Sequence, residues 1–423
     1  MKQTHYHTCN LCEAMCGIEI DHMGDEILAI RGDNADPLSR GHICPKGVAL
    51  QDLHNDPDRL RHPVKRTKDG WVPISWDEAL DETARRLHDI QARHGKNSVG
   101  MYLGNPTAHN HGALFTLLPL INALGTRQRY SATSADQLPH QLATWQLFGH
   151  QALFPIPDID RTDYFMVIGG NPMASNGSIM TVPDIRGRLK SLQERGGKLV
   201  VVDPRRTETA RLADEHDFIR PGSDVYLLLA LLQVMFEELL VAPGRLTDFL
   251  DGQGTLARLV ENWTPEKVAE ATGMTADRIR KLARDIATAP RAAIYSRVGL
   301  TTSAHSTLSA WLVYVINIVT GNLDREGGVM FTKPAFDIVA FGALGGETGS
   351  FDRYRSRVHG YPEFGGEFPV TTLADEMLSP GTGQIKAFIS HAGNPVLSCP
   401  DGNKMDKALS GLEFMVSIDL YIN

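Results

Sequence analysis

The sequence predicts an α/β protein built from several domains. Three observations carry this prediction. A chain of 423 residues is longer than one hydrophobic core sustains. Apolar runs such as Tyr164–Ile168 and Leu199–Val202 are separated by a segment of helical character, the pattern of strands buried on both faces of a parallel sheet. Four of the five cysteines lie within the first 44 residues, marking a small unit with chemistry of its own.

That amino-terminal set reads Cys9-x2-Cys12-x3-Cys16, then Cys44-Pro45-Lys46-Gly47 after 27 further residues. Three thiols within eight residues cannot converge from one strand, but a tight loop can wrap them around a compact centre, and a fourth from a distance closes the cage. A [4Fe–4S] cluster needs four soft thiolates in this way. Zinc is the alternative, although Cys₄ zinc sites usually come as two Cys-x2-Cys knuckles and the second is missing here. Disulfides fit less well, because Cys9 follows Met1 too closely for an export leader and Cys399 is left over.

Residues 1–63 form the cluster domain, with Glu26–Ile30 a strand and Asp56-Pro57 leading out. Ser75-x-x-Glu78 is a capping box opening a helix over Trp76–His94, and Gly95 suits its end. Ala79, Leu80, Ala84, Leu87 and Ile90 recur at helical spacing along it, which marks a packed scaffold helix. Strands are predicted at Val99–Leu103, Tyr164–Ile168 and Ile385–Ile389. Each runs into the same tripeptide: Gly104-Asn105-Pro106, Gly170-Asn171-Pro172 and Gly393-Asn394-Pro395. Glycine admits close backbone approach, asparagine offers donor and acceptor, and proline stops the strand. Ligands bind beyond the carboxyl ends of strands in open α/β sheets, so three such endings point to a dinucleotide-like ligand.

Between them, strand 164–168, a helix around Asp184–Arg195 and strand 198–202 make one Rossmann-type unit that ends in Asp203-Pro204-Arg205-Arg206-Thr207. An acidic residue at the second strand's tip suits a ribose hydroxyl, but without Gly-x-Gly-x-x-Gly at the first turn ordinary NAD binding is disfavoured. Read alone, Asp203 is equally a turn former. Asp224 caps an apolar helix reaching Leu240, and residues 245–290 read as outer helices. A strand over Ala292–Ser296 and a helix over 305–320 follow. The stretch 336–372, rich in Gly, Phe and Tyr, reads as a long loop over the site.

With these residues assembled, Cys9 to Gly47, including Arg31-Gly32 and Asp36-Pro37, resembles the cluster domain of molybdopterin oxidoreductases of the dimethyl sulfoxide reductase superfamily. That superfamily includes formate dehydrogenases and nitrate, thiosulfate and polysulfide reductases. The resemblance implies a [4Fe–4S] cluster on Cys9, Cys12, Cys16 and Cys44, with Lys46 on the electron path between cluster and pterin. On its own Lys46 would be an exposed loop lysine. It implies bis-molybdopterin guanine dinucleotide carrying molybdenum or tungsten, contacted by Gly170, Asn171, Pro172, Asp203, Pro204, Arg205, Thr207, Pro221, Gly222, Asp224, Gly393, Asn394 and Pro395. Residues 64–130 with 325–423 would bind one pterin dinucleotide, and residues 131–324 the other. Relatives continue past a strand like Phe414–Ile418 into a pterin-capping domain, so the chain is expected to lack that domain.

In formate dehydrogenase-like relatives a Cys or selenocysteine metal ligand precedes a proline by three positions and a Phe-Gly by twelve. Counting back from Pro139 and from Phe148 reaches Asp136 both times. The aspartate departs from the formate dehydrogenase pattern, as does Gln137 where histidine stands there. A carboxylate is a hard ligand suited to an oxidised metal. Ser134 is the competing ligand, and Asp136 capping the following helix is the plain alternative. His109 and His111 are candidates for the substrate channel.

The activity implied is an oxidoreductase on a small-molecule substrate, passing electrons through the cluster to a partner protein. A non-redox hydratase and a metal-free electron-relay subunit are the alternatives on the same scaffold. A net charge of −8 provides no field for nucleic acid, and no run of eighteen apolar residues spans a membrane. Free thiols and an oxidisable cluster point to the cytoplasm.

Overall fold

The computed structural model describes residues 1–346 and 348–423. The chain divides into two compact units, Met1–Ala135 with Gly349–Asn423, and Asp136–Thr348.

In the first unit, strands Gln3–Thr8, Gly17–Met23 and Glu26–Gly32 form an antiparallel sheet in that order. Its small core is made by Cys9, Ala14, Cys16, Ile18 and Ile30. The helix Trp76–His94 has its expected bounds, and Ser75 Oγ accepts from the Glu78 N–H at 3.1 Å. Leu87 and Ile90 are buried, whereas Leu80 is 62% exposed. Beside this helix lies a four-stranded parallel sheet in the order Phe414–Ile418, Ala387–His391, Val99–Leu103, Arg129–Ser131. The third predicted strand thus begins at Ala387 rather than Ile385, because Lys386 is held at the edge by its N–H bond to the Ser98 carbonyl, at 2.8 Å.

In the second unit, strands Glu215–Asp217, Lys198–Val202, Tyr164–Ile168 and Ala292–Ser296 lie in that order, all parallel. Alternate side chains enter two separate cores. Tyr164, Met166, Ile168, Val200, Val202 and Ile294 pack under the helices Asp224–Glu237, Ala276–Thr288 and Ser306–Val319. Phe165, Val167, Leu199, Val201 and Tyr295 pack with Leu189 and Leu192 of the helix Ile185–Glu194. A parallel sheet must be covered on both faces, which is why its strands read as unbroken apolar runs.

Two further expectations change. The apolar helix is capped by position at Ser223, Asp224 is its first residue without a side-chain cap, and the helix ends at Glu237. The stretch 336–372 is not an irregular loop: it contains a helix, Ile338–Leu344, and a paired hairpin of Phe351–Arg355 with Pro362–Phe364. Glu347 within it lies outside the described residues. The buried carboxylate of Glu363 gathers donors from Ser350 Oγ, the Gly366 N–H at 2.6 Å and Arg353 Nη2 at 3.0 Å. A hairpin anchored by a buried charge leaves no hydrophobic periodicity to read.

Candidate functional site

The second unit's strands, numbered in chain order, run third, second, first, fourth. The winding therefore reverses between the first, Tyr164–Ile168, and the fourth, Ala292–Ser296, and the crevice beyond their carboxyl ends is where doubly wound sheets bind ligands. Here the two strand ends touch. Gly299 N–H donates to the Gly169 carbonyl at 2.9 Å. Gly169 has φ +58°, and a Cβ there would lie 2.6 Å from Leu300 N, so a side chain would force the crevice apart.

A cavity of about 500 Å³ opens at this point, lined by Asp136, the Gly169-Gly170-Asn171 turn, Asp203, Arg205, Thr207 and Arg297 to Gly299. Its most unusual member is Arg297, directly after the fourth strand. The side chain is 7% exposed, and Nη2 donates to Asp136 Oδ1 at 2.8 Å. Nε and Nη1 are buried without a hydrogen-bond partner. Leaving a buried donor unsatisfied costs about 1–3 kcal/mol, more when it is charged. Such orphaned donors fit a cavity whose natural contents are anionic.

Asp136 does not cap the helix that follows. That helix, Leu138–Phe148, has Gln137 at its N-cap and no side-chain cap bond. Asp136 instead faces Arg297 through one oxygen and keeps 42% of its side chain exposed. Ser134, the competing ligand, accepts from the Val370 N–H at 2.9 Å within the first unit. Behind Arg297, His140 is fully buried beside Tyr314 and Ser296. Burial and the Arg297 charge push its pKa down to about 3, so it is neutral and adds no cation.

The second strand's tip contributes Asp203, whose Oδ1 accepts from the Arg205 N–H at 2.8 Å and whose carboxyl is raised by burial. Pro204 and Arg205 are exposed, while Thr207 caps the helix Glu208–Leu212 through its bond from the Ala210 N–H. The Asn171 amide clips the first and second strand ends together. Its Oδ1 accepts from Thr209 Oγ1 at 2.8 Å, and its Nδ2 donates to Glu208 at 2.6 Å. Pro172 is buried at the start of the next turn.

Asp224 is 5% exposed, and burial followed by the charge of Asp203 raises its pKa to about 6. The unfolded chain therefore releases this proton near pH 4 and the folded chain only near pH 6. Folding stability falls across that interval, and the full cost, about 3 kcal/mol, is present above it. Asp224→Asn in cofactor-free protein should accordingly raise Tm by several degrees at pH 7 and by little at pH 4. Equal shifts at both pH values would show that the carboxylate is not strained. Pro221 and Gly222, just before it, are exposed and do not line the cavity.

In the first unit, the Cys9–Cys16 loop is closed by the Cys9 N–H donating to the Cys16 carbonyl at 2.8 Å, and Met15 adopts φ +47° to make the turn. Cys44 stands at the N-cap of a four-residue turn, Pro45–Val48, on which Lys46 is exposed. Burial raises Cys9, and Cys12 and Cys44 raise it further; Cys16 is pushed up to about 11 by burial and by the other three. Among the described residues no three His, Cys, Asp or Glu side chains are grouped to hold a single metal ion. A four-iron cube takes one thiolate on each iron, and so spreads its ligands more widely. Gly47 keeps the centre open: a Cβ there would lie 2.8 Å from Ile43 and 3.8 Å from Cys9 Sγ.

The other tripeptides also lie in the first unit. The Gly104 N–H donates to the His391 carbonyl at 2.8 Å, and Thr107 Oγ1 meets His391 Nδ1 at 2.6 Å. Gly393 packs on Tyr102, Asn394 Oδ1 accepts from the Val396 N–H at 3.0 Å, and Pro395 is buried. His109 contacts Asn105 at 3.3 Å, and His111 is exposed.

The structure thus gathers Asp136, Gly170, Asn171, Asp203, Arg205 and Thr207 around one cavity. It keeps the four cysteines, Lys46 and Gly393 to Pro395 in the other unit. Arg297 was not predicted. Its signal was its place immediately after a predicted strand, the position that Gly169 and Asp203 occupy after theirs.

The family described as molybdopterin oxidoreductase matches residues 59–423, and the molybdopterin oxidoreductase Fe4S4 domain matches residues 3–56. The molybdopterin-containing subunit of thiosulfate reductase from Salmonella typhimurium is 28% identical, covering 98% of this chain and 55% of that protein. A nitrate reductase from Symbiobacterium thermophilum is 28% identical, covering 99% of this chain and 58% of its own length. The solved acetylene hydratase from Pelobacter acetylenicus superposes with a TM-score of 0.82 at 24% identity, over 98% of this chain and 60% of that one, which is a likeness of fold. The chain therefore spans a little over half the length of these relatives.

Proposed function

The chain belongs to the molybdopterin oxidoreductase family and includes its Fe4S4 domain, and from that premise we propose that it serves a molybdenum or tungsten oxidoreductase reaction on a small molecule. The observation that carries this reading is the cavity at the sheet's reversal, where Asp136 and a buried, under-bonded arginine meet the two strand ends. A molybdenum or tungsten centre held there would supply two-electron chemistry toward substrate, and the cluster would supply one-electron transfer. Cys9, Cys12, Cys16 and Cys44 would hold the cluster, and the carboxylate of Asp136 would approach the metal while Arg297 holds its Oδ1.

Asp203, Arg205 and Thr207 would take the dinucleotide portion on one side, with Gly170 admitting it closely and Asn171 and Pro172 fixing the turn. Pro204, Pro221 and Gly222 shape the neighbouring loops, and Asp224 supplies a second buried carboxylate beside Asp203. Gly393, Asn394 and Pro395 would contact the other pterin dinucleotide. Lys46, exposed next to Cys44, would stand on the electron path to a partner protein. No helix among the described residues is long and apolar enough to cross a membrane. The free cysteines fit a reducing, cytoplasmic setting.

Elemental analysis of purified protein is expected to find iron together with molybdenum or tungsten, and a viologen dye should be turned over with one of formate, nitrate, thiosulfate or a sulfoxide. Iron alone would favour an electron-relay subunit. Both metals with no dye-linked turnover, but addition of water to an alkyne, would favour a hydratase.

A further inference from the structure

We propose that Glu367, Ser131 and Thr133 form a proton relay serving the reaction at Asp136. This deepens the preceding reading and rests on it for the chemistry served. Taking one oxygen atom from a substrate as water consumes two protons along with the two electrons that the redox partner supplies, and the reverse oxidation releases both. The relay lies wholly in the first unit. Ser131 Oγ stands 2.6 Å from Glu367 Oε2 and 2.8 Å from Thr133 Oγ1, and it accepts from the Thr133 N–H at 3.1 Å. A serine hydroxyl has one proton to donate and two lone pairs, so it can satisfy Glu367 or Thr133 but never both. With Glu367 ionised, Ser131 donates to Oε2. With Glu367 protonated, the acid donates to Ser131, which turns its own proton to Thr133. Passing a proton onward breaks Oε2–H, and each hydroxyl gives up one O–H bond as it gains another. The proton leaves Thr133 Oγ1 toward the substrate oxygen, and half-buried Glu367 takes its replacement from solvent. Thr133 belongs to the turn Ala132–Ala135, which ends one residue before Asp136. The Phe368 N–H donates to the Arg129 carbonyl at 2.9 Å and the Val370 N–H to Ser134 Oγ at 2.9 Å, which straps the Glu367 segment to that turn.

Glu363, four residues earlier, shows the contrasting design of a structural anion. Its burial is outweighed by Ser350, Arg353 and the backbone N–H groups, which hold its carboxyl below the usual glutamate range. Glu367 meets a hydroxyl instead. Burial raises its carboxyl, against the opposing pull of Ser131 and of the Arg129 charge. Arg129 and Tyr102 face it from the strands packed beside it, and burial keeps the Tyr102 phenol neutral. From the hairpin, Tyr354 donates to the neighbouring Gly366 carbonyl at 3.3 Å. A carboxyl raised in this way keeps its proton closer to neutral pH, where a relay has to exchange it.

The test uses the purified protein with its metal and pterin content measured. Infrared difference titration of the parent should show a protonated carboxyl that persists above the ordinary glutamate range and is absent from Glu367→Gln. Ser131→Ala, at parent cofactor content, should lower turnover at least tenfold and enlarge the solvent deuterium isotope effect, because proton delivery becomes limiting. Thr133→Val should do the same, and Thr133→Ser, which restores the hydroxyl, should recover most of the loss. A Glu367 carboxyl that titrates in the ordinary range would overturn the proposal. Loss of metal or pterin from Ser131→Ala and Thr133→Val would assign the hydroxyls to cofactor binding and overturn it as well. Parent protein lacking molybdenum, tungsten and pterin would sink the oxidoreductase reading and the relay with it. Cofactor-loaded variants with lowered Tm but unchanged turnover and isotope effect would sink the relay alone, leaving the row a structural role.

Discussion

Cys44→Ser protein is expected to lose the broad visible absorption of the amino-terminal domain and about four irons per chain. The structure makes this a clean substitution. Cys44 holds the N-cap of Pro45–Val48 without a side-chain cap bond, and its carbonyl already receives the Gly47 N–H at 3.0 Å. Serine is a better N-cap than cysteine, so the turn and its exposed Lys46 should survive. What is lost is the fourth soft ligand. Cys9 and Cys16, raised by burial and by neighbouring thiols, then protonate rather than hold iron at neutral pH. Iron quantification and the visible spectrum read the result directly, and circular dichroism confirms the fold. Retention of full iron in this variant, or zinc in the parent protein, would end the cluster assignment.

The second large effect concerns Asp136. Asp136→Asn should lower turnover by more than about a hundredfold if, as proposed, its carboxylate serves the metal. Its Tm should stay close to that of the parent, because the amide oxygen still accepts from Arg297 Nη2. Asp136→Ala should lose the same activity and, in addition, about 1–3 kcal/mol of stability, because the buried guanidinium is left with no partner. The difference between the two variants isolates the ion pair from the chemistry. Near-normal turnover in Asp136→Asn would exclude the carboxylate as a metal ligand and return attention to Ser134, although that hydroxyl is engaged by the Val370 N–H.

Much of the scaffold was legible in the chain. The strands at 99–103, 164–168, 198–202 and 292–296 and the helix Trp76–His94 have their expected bounds, because each is dictated by its own apolar pattern and end signals. The [4Fe–4S] domain was legible from four thiols and their spacing, and the family match over residues 3–56 bears it out. The hairpin at Phe351–Phe364 was not, because it is organised around one buried carboxylate rather than around alternating side chains.

What the amino-acid order determined by itself is therefore local: which segments are strands, where glycine and proline end them, and which cysteines belong together. Tertiary structure alone decided the partnership of Asp136 and Arg297, which stand 161 positions apart. It also strained Asp224 by burying it, and then by placing it near Asp203. The physical reason is the strand order. Pairing Ala292–Ser296 with Tyr164–Ile168 reverses the winding of the sheet and opens a crevice at that edge. The residue just past the fourth strand is thereby buried against the cavity. No periodicity announces such a pairing, because a buried charge finds its partner through the topology of the sheet and not through its neighbours in the chain.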